Sequence, residues 1–429
     1  MLDLVPVHGG LEAPVSRTVP LSRRKQFLAE AAQLPRVELS RADLSTLYRI
    51  ADGTLSPLIG PMDEETWHYV LDHDALDYGF RRYAWTAPVS FPVTDDEARR
   101  LRIGHSAALL HAGQIVAVLR ISSVFEWDKA KHVEKFYGTS RTDHPGGHMV
   151  MDDPRSTLVG GEIWALPQEV DPEYGEFVLS PRQVRTLIAE RRWERALAFQ
   201  TRNPLHRAHE YALVAGVERL TRQGNFAGVV LNPLIGELKG DDVPARVRMR
   251  CYRALRELKL LGKGDKDDAL WRSCGYDLTE VFELVGLDIK MLYGGPKEAV
   301  MHAIYRQNLG FTDIVIGRKH ADAPYDDGKP IWGDFDAQEI FDHLKGGLRI
   351  RPCKIGFAAY FESVGRVDLL ELHPDQQPLA ISGSHIRRTL AQGQRPDERV
   401  LRPEIADILI AYYRERAQSV QAAGGQGSS

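Results

Sequence analysis

The chain has 429 residues, 43% of them hydrophobic and 27% charged, with a formal net charge of −4. That length requires two or three domains able to bury real cores, and the slightly acidic balance without a long basic run argues against a nucleic-acid partner. The three cysteines, Cys251, Cys274 and Cys353, form no Cys-x-x-Cys pair, which argues against a zinc ribbon or disulfide framework and points to a reducing cytoplasm; no apolar run approaches membrane-spanning length and Met1–Gly10 lacks the pattern of a secretory signal.

In chain order, Asp63 to Leu71 starts acidic and repeats Trp67, Val70 and Leu71 at helical spacing, so it reads as a helix. Val89–Val93, Ser106–Leu110 and Gln114–Leu119 are short strand-like runs, the last two joined by a His111-Ala112-Gly113 turn. Short strands around turns predict a small barrel, with the polar loop Phe136–Gly146 reaching toward another domain. Pro167–Gly175 reads as a linker. From Ser180-Pro181, a helix start, the pattern alternates helix and strand as a parallel α/β sheet requires. Strands are expected at Arg195–Phe199, Phe226–Leu231, Leu287–Tyr293 and Asp313–Gly317, and helices at Pro244–Leu261 and Lys297–Leu309. Ala417 to Ser429, poor in bulky residues, is expected to be disordered.

The chemistry concentrates where expected strands end. After the first of them comes Gln200-Thr201-Arg202-Asn203-Pro204-Leu205-His206-Arg207-Ala208-His209. Asn203-Pro204 reads as an N-cap followed by proline at the first helical position. A helix N-terminus offers unpaired N–H groups and a positive dipole end, so it favours anions. His206 and His209, three apart, share a face of that turn. A solvated helix face and a metal site are the other readings of such a pair, but Glu210 does not complete a His-Glu-x-x-His zinc spacing. The polar crowd from Gln200 to Asn203 favours a site for phosphate-like anions. A second basic motif, Gly317-Arg318-Lys319-His320-Ala321-Asp322, follows the last strand. Asp334–Phe341 opens a further helix, and Ile381-Ser382-Gly383-Ser384 precedes a helix with paired Arg387 and Arg388.

These strings, together with Tyr137-Gly138-Thr139, His144-Pro145-Gly146 and Leu179-Ser180-Pro181-Arg182-Gln183, resemble the motifs of the ATP sulfurylase family, in the family's order and from about residue 50 to 410. The resemblance implies an α/β protein in three parts: a PUA-like N-terminal β-barrel domain (1–165), a Rossmann-like parallel nucleotidyltransferase domain (166–376) and a small C-terminal lid (377–417), with a disordered tail at 418–429. It implies a homodimer that joins ATP and sulfate into adenosine 5′-phosphosulfate (adenylylsulfate) and pyrophosphate, with Mg²⁺ on the nucleotide and no protein ligand to the metal. By the same resemblance Gln200, Arg202 and the backbone N–H of Ala321 hold sulfate. Thr201, Arg202 and Asn203 act on the α-phosphoryl group. Gln200, Asn203, His206, His209, Arg318, Lys319 and His320 contact ATP and its phosphates.

The chain departs from the family at Lys319, where many members have Asp, at Asp322, where many have Gly, and in a longer loop 322–333. Asp322 is therefore expected to face away from sulfate or to pair with Lys319. The absence of cysteine from Phe361 to Gln377 implies no structural zinc, and the absence of a P-loop after residue 390 implies no fused kinase. The Lys319 and long-loop variant is similar to members that run the reaction toward ATP in sulfur oxidation. Two rival readings stay open: another adenylyltransferase of the His-x-x-His superfamily, and a non-catalytic RNA-binding protein.

Overall fold

The computed structural model describes residues 4–236, 242–379 and 383–425. They fall into two compact units: Met1–Asp171 with Val178–Arg192 and Asp288–Cys353, and Pro172–Phe177 with Trp193–Leu287 and Lys354–Ser429.

The N-terminal part of the first unit is built on a five-stranded sheet in the order Arg36–Glu38, Ser106–His111, Gln114–Glu126, Thr157–Ala165, Phe91–Val93. The first pair is parallel and the rest antiparallel. Ala112 and Gly113 close the hairpin at φ 50° and 75°, the paired left-handed geometry whose twist suits adjacent strands. Register shifts at Leu109/Leu110 and Ile121/Ser123 bend the sheet. The expected helix begins with Asp63 as its cap and runs over Glu64–His73.

The other organising element of this unit is the helix Gly295–Leu309, buried on nearly every side. Such a helix must find partners for its polar groups. Asn308 Nδ2 donates to the carbonyls of Thr54 and Ser56, each at 2.9 Å, and Asn308 Oδ1 accepts the His8 N–H at 2.9 Å. The strand Asp313–Ile316 follows and delivers the chain to the Gly317–Ala321 loop.

In the second unit Arg195–Thr201 pairs in parallel with Ala227–Pro233, which pairs in parallel with Phe282–Leu284. The helix Arg207–Arg222 makes the crossover between the first two, a connection that parallel neighbours require. The middle strand is buried at every residue, as a parallel sheet covered on both faces should be.

Two expectations are corrected here, and one element was not foreseen. Leu287–Tyr293 is not a strand: only Leu287 bridges, to Leu234, and the third strand is Phe282–Leu284. The longer apolar run misled because apolarity marks burial, whereas the true strand is short and contains Glu283, which Arg256 satisfies at 2.7 Å. Of the tail expected from 418, residues 418–425 belong to the end of the helix Pro403–Gly425, whose Ala, Gln and Glu residues are good helix formers, and residues 426–429 lie outside the described residues. An antiparallel hairpin, Ala358–Phe361 with Arg366–Leu369, occupies a stretch that periodicity left unread.

Candidate active site

The Gln200–His209 string belongs to the second unit and the Arg318–Ala321 loop to the first. Strand Arg195–Thr201 ends in a tight turn made by Thr201 itself. Its Oγ1 donates to the Asn203 carbonyl at 3.0 Å and accepts the Asn203 N–H at 3.2 Å. The Tyr252 hydroxyl donates to the same carbonyl at 2.8 Å, and Leu234 N–H donates to Thr201 O at 2.9 Å. Thr201 is thereby committed to shaping the turn. Asn203 lies within that turn and does not cap the helix, which corrects the expected helix start.

The cap is His206, and the helix begins at Arg207. His206 Nδ1 accepts the His209 N–H at 3.3 Å, and the two rings stack with centroids 3.7 Å apart. A capping nitrogen must carry a lone pair, so this ring is neutral with its proton on Nε2, where it can donate outward. Burial and the neighbouring His209 hold the His206 imidazole well below its ordinary value, and burial brings His209 down to about 4. His209 Nδ1 is buried with no partner among the described residues. Gln200 Oε1 and Arg202 Nη1 are also buried.

Two ion pairs fix the helix that carries these rings. Arg207 grips Asp265 at 2.8 and 2.6 Å, and Arg402 grips the fully buried Glu210 at 3.0 and 2.8 Å. The Arg207 N–H also donates to Val400 O at 2.9 Å. Around the helix start lies a pocket of about 140 Å³ lined by Asn203, Pro204, His206 and His209 on one side, Asp242 and Val243 on another, and Ile386, Arg387, Leu390 and Tyr413 from the C-terminal helices. Sequence reasoning missed Asp242, Val243 and Tyr413. The apolar repeat Ile386, Leu390 was the signal that the helix Gly383–Ala391 turns an apolar face to this pocket. Ile381 and Ser382 of the third motif lie outside the described residues.

In the first unit Lys319 and Ala321 both adopt left-handed backbone, φ 52° and 56°. Asp334 holds both cations of the loop, Arg318 Nη1 at 2.7 Å and Lys319 Nζ at 3.4 Å, and its carbonyl accepts the Lys319 N–H at 2.9 Å. Lys319 therefore makes its ion pair with Asp334, while it also acts electrostatically on Asp322, whose carboxyl burial pushes up against the pull of Lys319 and whose Oδ1 has no hydrogen-bond partner among the described residues. The ring of His320 turns inward, its Nε2 lying 2.9 Å from His302 Nδ1. The Phe136–Gly146 loop, expected to reach toward another domain, packs within the first unit on the long loop 322–333. Tyr325 OH donates to Thr139 Oγ1 at 2.8 Å, Arg141 stacks on the Tyr325 ring at 3.8 Å, and Asp326 N–H donates to Asp143 O at 2.8 Å.

A parallel strand–turn–helix with a neutral histidine at the helix start and cationic side chains nearby defines a class: an α/β nucleotidyltransferase, here preceded by an N-terminal β domain. Comparison with known proteins narrows it. Residues 5–168 match the PUA-like domain and residues 175–412 match ATP-sulfurylase. Sulfate adenylyltransferase of Pyropia yezoensis is 48% identical over 98% of this chain and 100% of its own length. Those of a Synechocystis strain and of Symbiobacterium thermophilum are each 34% identical, covering 95% and 98% of this chain and 97% and 100% of their own. Among solved structures, a hexameric APS kinase from Thiobacillus denitrificans shares the fold, with a TM-score of 0.69 at 21% identity over 95% of this chain and 68% of that one. The chain belongs to the ATP-sulfurylase family.

Proposed function

We propose that this chain transfers the adenylyl group of ATP to sulfate. A sulfate oxygen attacks the α-phosphorus, the bond to the bridging oxygen breaks, and its electron pair leaves on pyrophosphate, giving adenosine 5′-phosphosulfate. The observation that carries the reading is the Gln200–His209 string folded as strand, turn and helix start, with His206 closing the helix through a lone pair and left with one N–H to give.

Sulfate is already an anion and needs no general base. Catalysis rests on holding it in line and on neutralising the charge that builds at phosphorus and on the leaving group. Gln200, Arg202 and the Ala321 N–H are assigned to sulfate. Arg202 and Asn203 are assigned to the α-phosphoryl group, with Thr201 acting through the turn it forms. His206, His209, Arg318 and Lys319 are assigned to the phosphates. By the resemblance, Mg²⁺ enters as part of the nucleotide substrate. Among the described residues no helix is long and apolar enough to cross a membrane. The resemblance extends these assignments to a cytoplasmic homodimer able to run toward ATP in sulfur oxidation; light scattering tests the dimer.

The deciding experiment follows pyrophosphate release from MgATP. Release that depends on sulfate or molybdate is the expected result. Release only with a nucleotide or pantetheine phosphate acceptor would overturn the assignment.

A further inference from the structure

Two left-handed residues flanking His320 need a reason. For residues other than glycine that conformation costs on the order of 1–2 kcal/mol each, so the surroundings must enforce it. The enforcement comes from inside the first unit. The Gly295 N–H donates to Ala321 O at 3.1 Å, and the His320 ring reaches His302 on the buried helix Gly295–Leu309. One turn earlier on that helix is Glu298, fully buried, its oxygens accepting the N–H groups of Leu292 at 2.8 Å and Gly294 at 2.9 Å. His302 Nε2 lies 3.4 Å from Glu298 Oε1.

Counting protons along this chain gives a direction. A carboxylate that already accepts two N–H bonds accepts a third, so the proton of His302 sits on Nε2. A neutral His302 then has only a lone pair on Nδ1, and the contact with His320 is a hydrogen bond only if His320 Nε2 carries the hydrogen. That leaves the His320 Nδ1 bare, facing away from His302 as an acceptor. Burial, together with the guanidinium of Arg306 and the neighbouring His302, keeps His320 well below its ordinary value, so a second proton on it is disfavoured. Burial also lowers His302, against the pull of Glu298.

We propose that Glu298, His302 and His320 form a one-way hydrogen-bond chain that fixes His320 as the Nε2–H tautomer and pins the left-handed loop. His320 is then a positioning residue for the backbone of Lys319 and Ala321, and not a donor to phosphate. The proposal rests on the adenylyl-transfer reading only where a rate is measured.

The test has two arms. Histidine ¹⁵N NMR of the intact parent protein at neutral pH, with signals assigned through His302→Gln and His320→Gln, should show both rings neutral and protonated on Nε2. A His320 protonated on Nδ1, or doubly protonated, overturns the proposal. The second arm compares His320→Gln, whose amide nitrogen stands near the original Nε2, with His320→Asn, whose amide stands near Nδ1. Sulfate-dependent kcat/KM should fall less than about tenfold for Gln and about 100-fold for Asn, the scale of a misplaced site backbone. Equal losses, or Asn outperforming Gln, overturn it. A parent without sulfate-dependent turnover would count against the proposed function and leave the tautomer result standing.

Discussion

At the first turn of the helix Arg207–Arg222, one imidazole closes the helix and for that reason turns its only proton outward. The two roles of His206 can be separated by substitution. Asn caps a helix about as well as any residue but has no Nε2–H at that position, so His206→Asn should change unfolding stability by less than about 1 kcal/mol. Its sulfate-dependent kcat should nevertheless fall by about 100-fold, the loss typical of one donor aimed at developing charge. Urea denaturation and initial rates on the same sample check both. Arg202→Ala should cost a comparable 2–4 kcal/mol in the transition state, read as about a 100-fold or larger fall in kcat/KM for sulfate. The strand-to-helix turn that carries the candidate site was legible in sequence because an apolar run, a polar crowd and an apolar helical repeat follow one another from Arg195 to Val217. The division of labour among its residues was not. Asn203-Pro204 carries every mark of a cap, yet Thr201 draws Asn203 into the preceding turn and hands the cap to a histidine, a residue type that propensity ranks low for the task.

At the scale of the element, that helix keeps its aim through Arg402, which reaches Glu210 from the C-terminal segment. Burial pushes the Glu210 carboxyl up to about 7, against the pull of Arg402 and Arg207. Removing the arginine leaves a buried carboxylate without its partner, so Arg402→Ala should destabilise the protein by about 3–5 kcal/mol in mildly alkaline buffer. The loss should shrink as the pH falls, because a protonated Glu210 has no charge to strand. Chemical denaturation of parent and variant across pH tests this, and a pH-independent loss would argue for packing alone. None of this pairing was visible in sequence. Glu210 and Arg402 are 192 positions apart, and nothing local marks either as a partner. Elements with strong local signals were legible: the helix from Asp63, the Ser180-Pro181 start and the His111-Ala112-Gly113 turn. The stretch 287–293 was misread because apolar runs report burial, and an extended buried segment without ladder partners looks the same as a strand.

At the scale of the whole molecule, the buried His8 and the half-buried His132 and His209 are held neutral. Burial takes His8 down to about 4 and His209 to about 4, and burial together with Lys290 takes His132 to about 3. Unfolded, each titrates near 6.5. Between that value and 4 the unfolded chain binds more protons than the folded one, so stability is fully present above 6.5 and is lost as the pH falls. For His8 alone the loss by pH 4 is on the order of 3 kcal/mol. The urea midpoint should therefore drop steeply from pH 6 to pH 4, and a flat profile would mean these rings are protonated or exposed when folded. The chain was expected to divide in order into parts 1–165, 166–376 and 377–417, whereas it clusters into two units, with residues 288–353 joining the first, and chain order does not reveal which core a segment joins. In the proposed reaction, fixed cations and N–H groups align two anions for direct displacement, with no bond from enzyme to adenylate. ATP made chiral at the α-phosphorus by sulfur and oxygen isotope substitution reports on that displacement most directly. Inversion of configuration in the adenylylsulfate product is the expected result, and retention, the mark of a covalent adenylyl-enzyme, would contradict it.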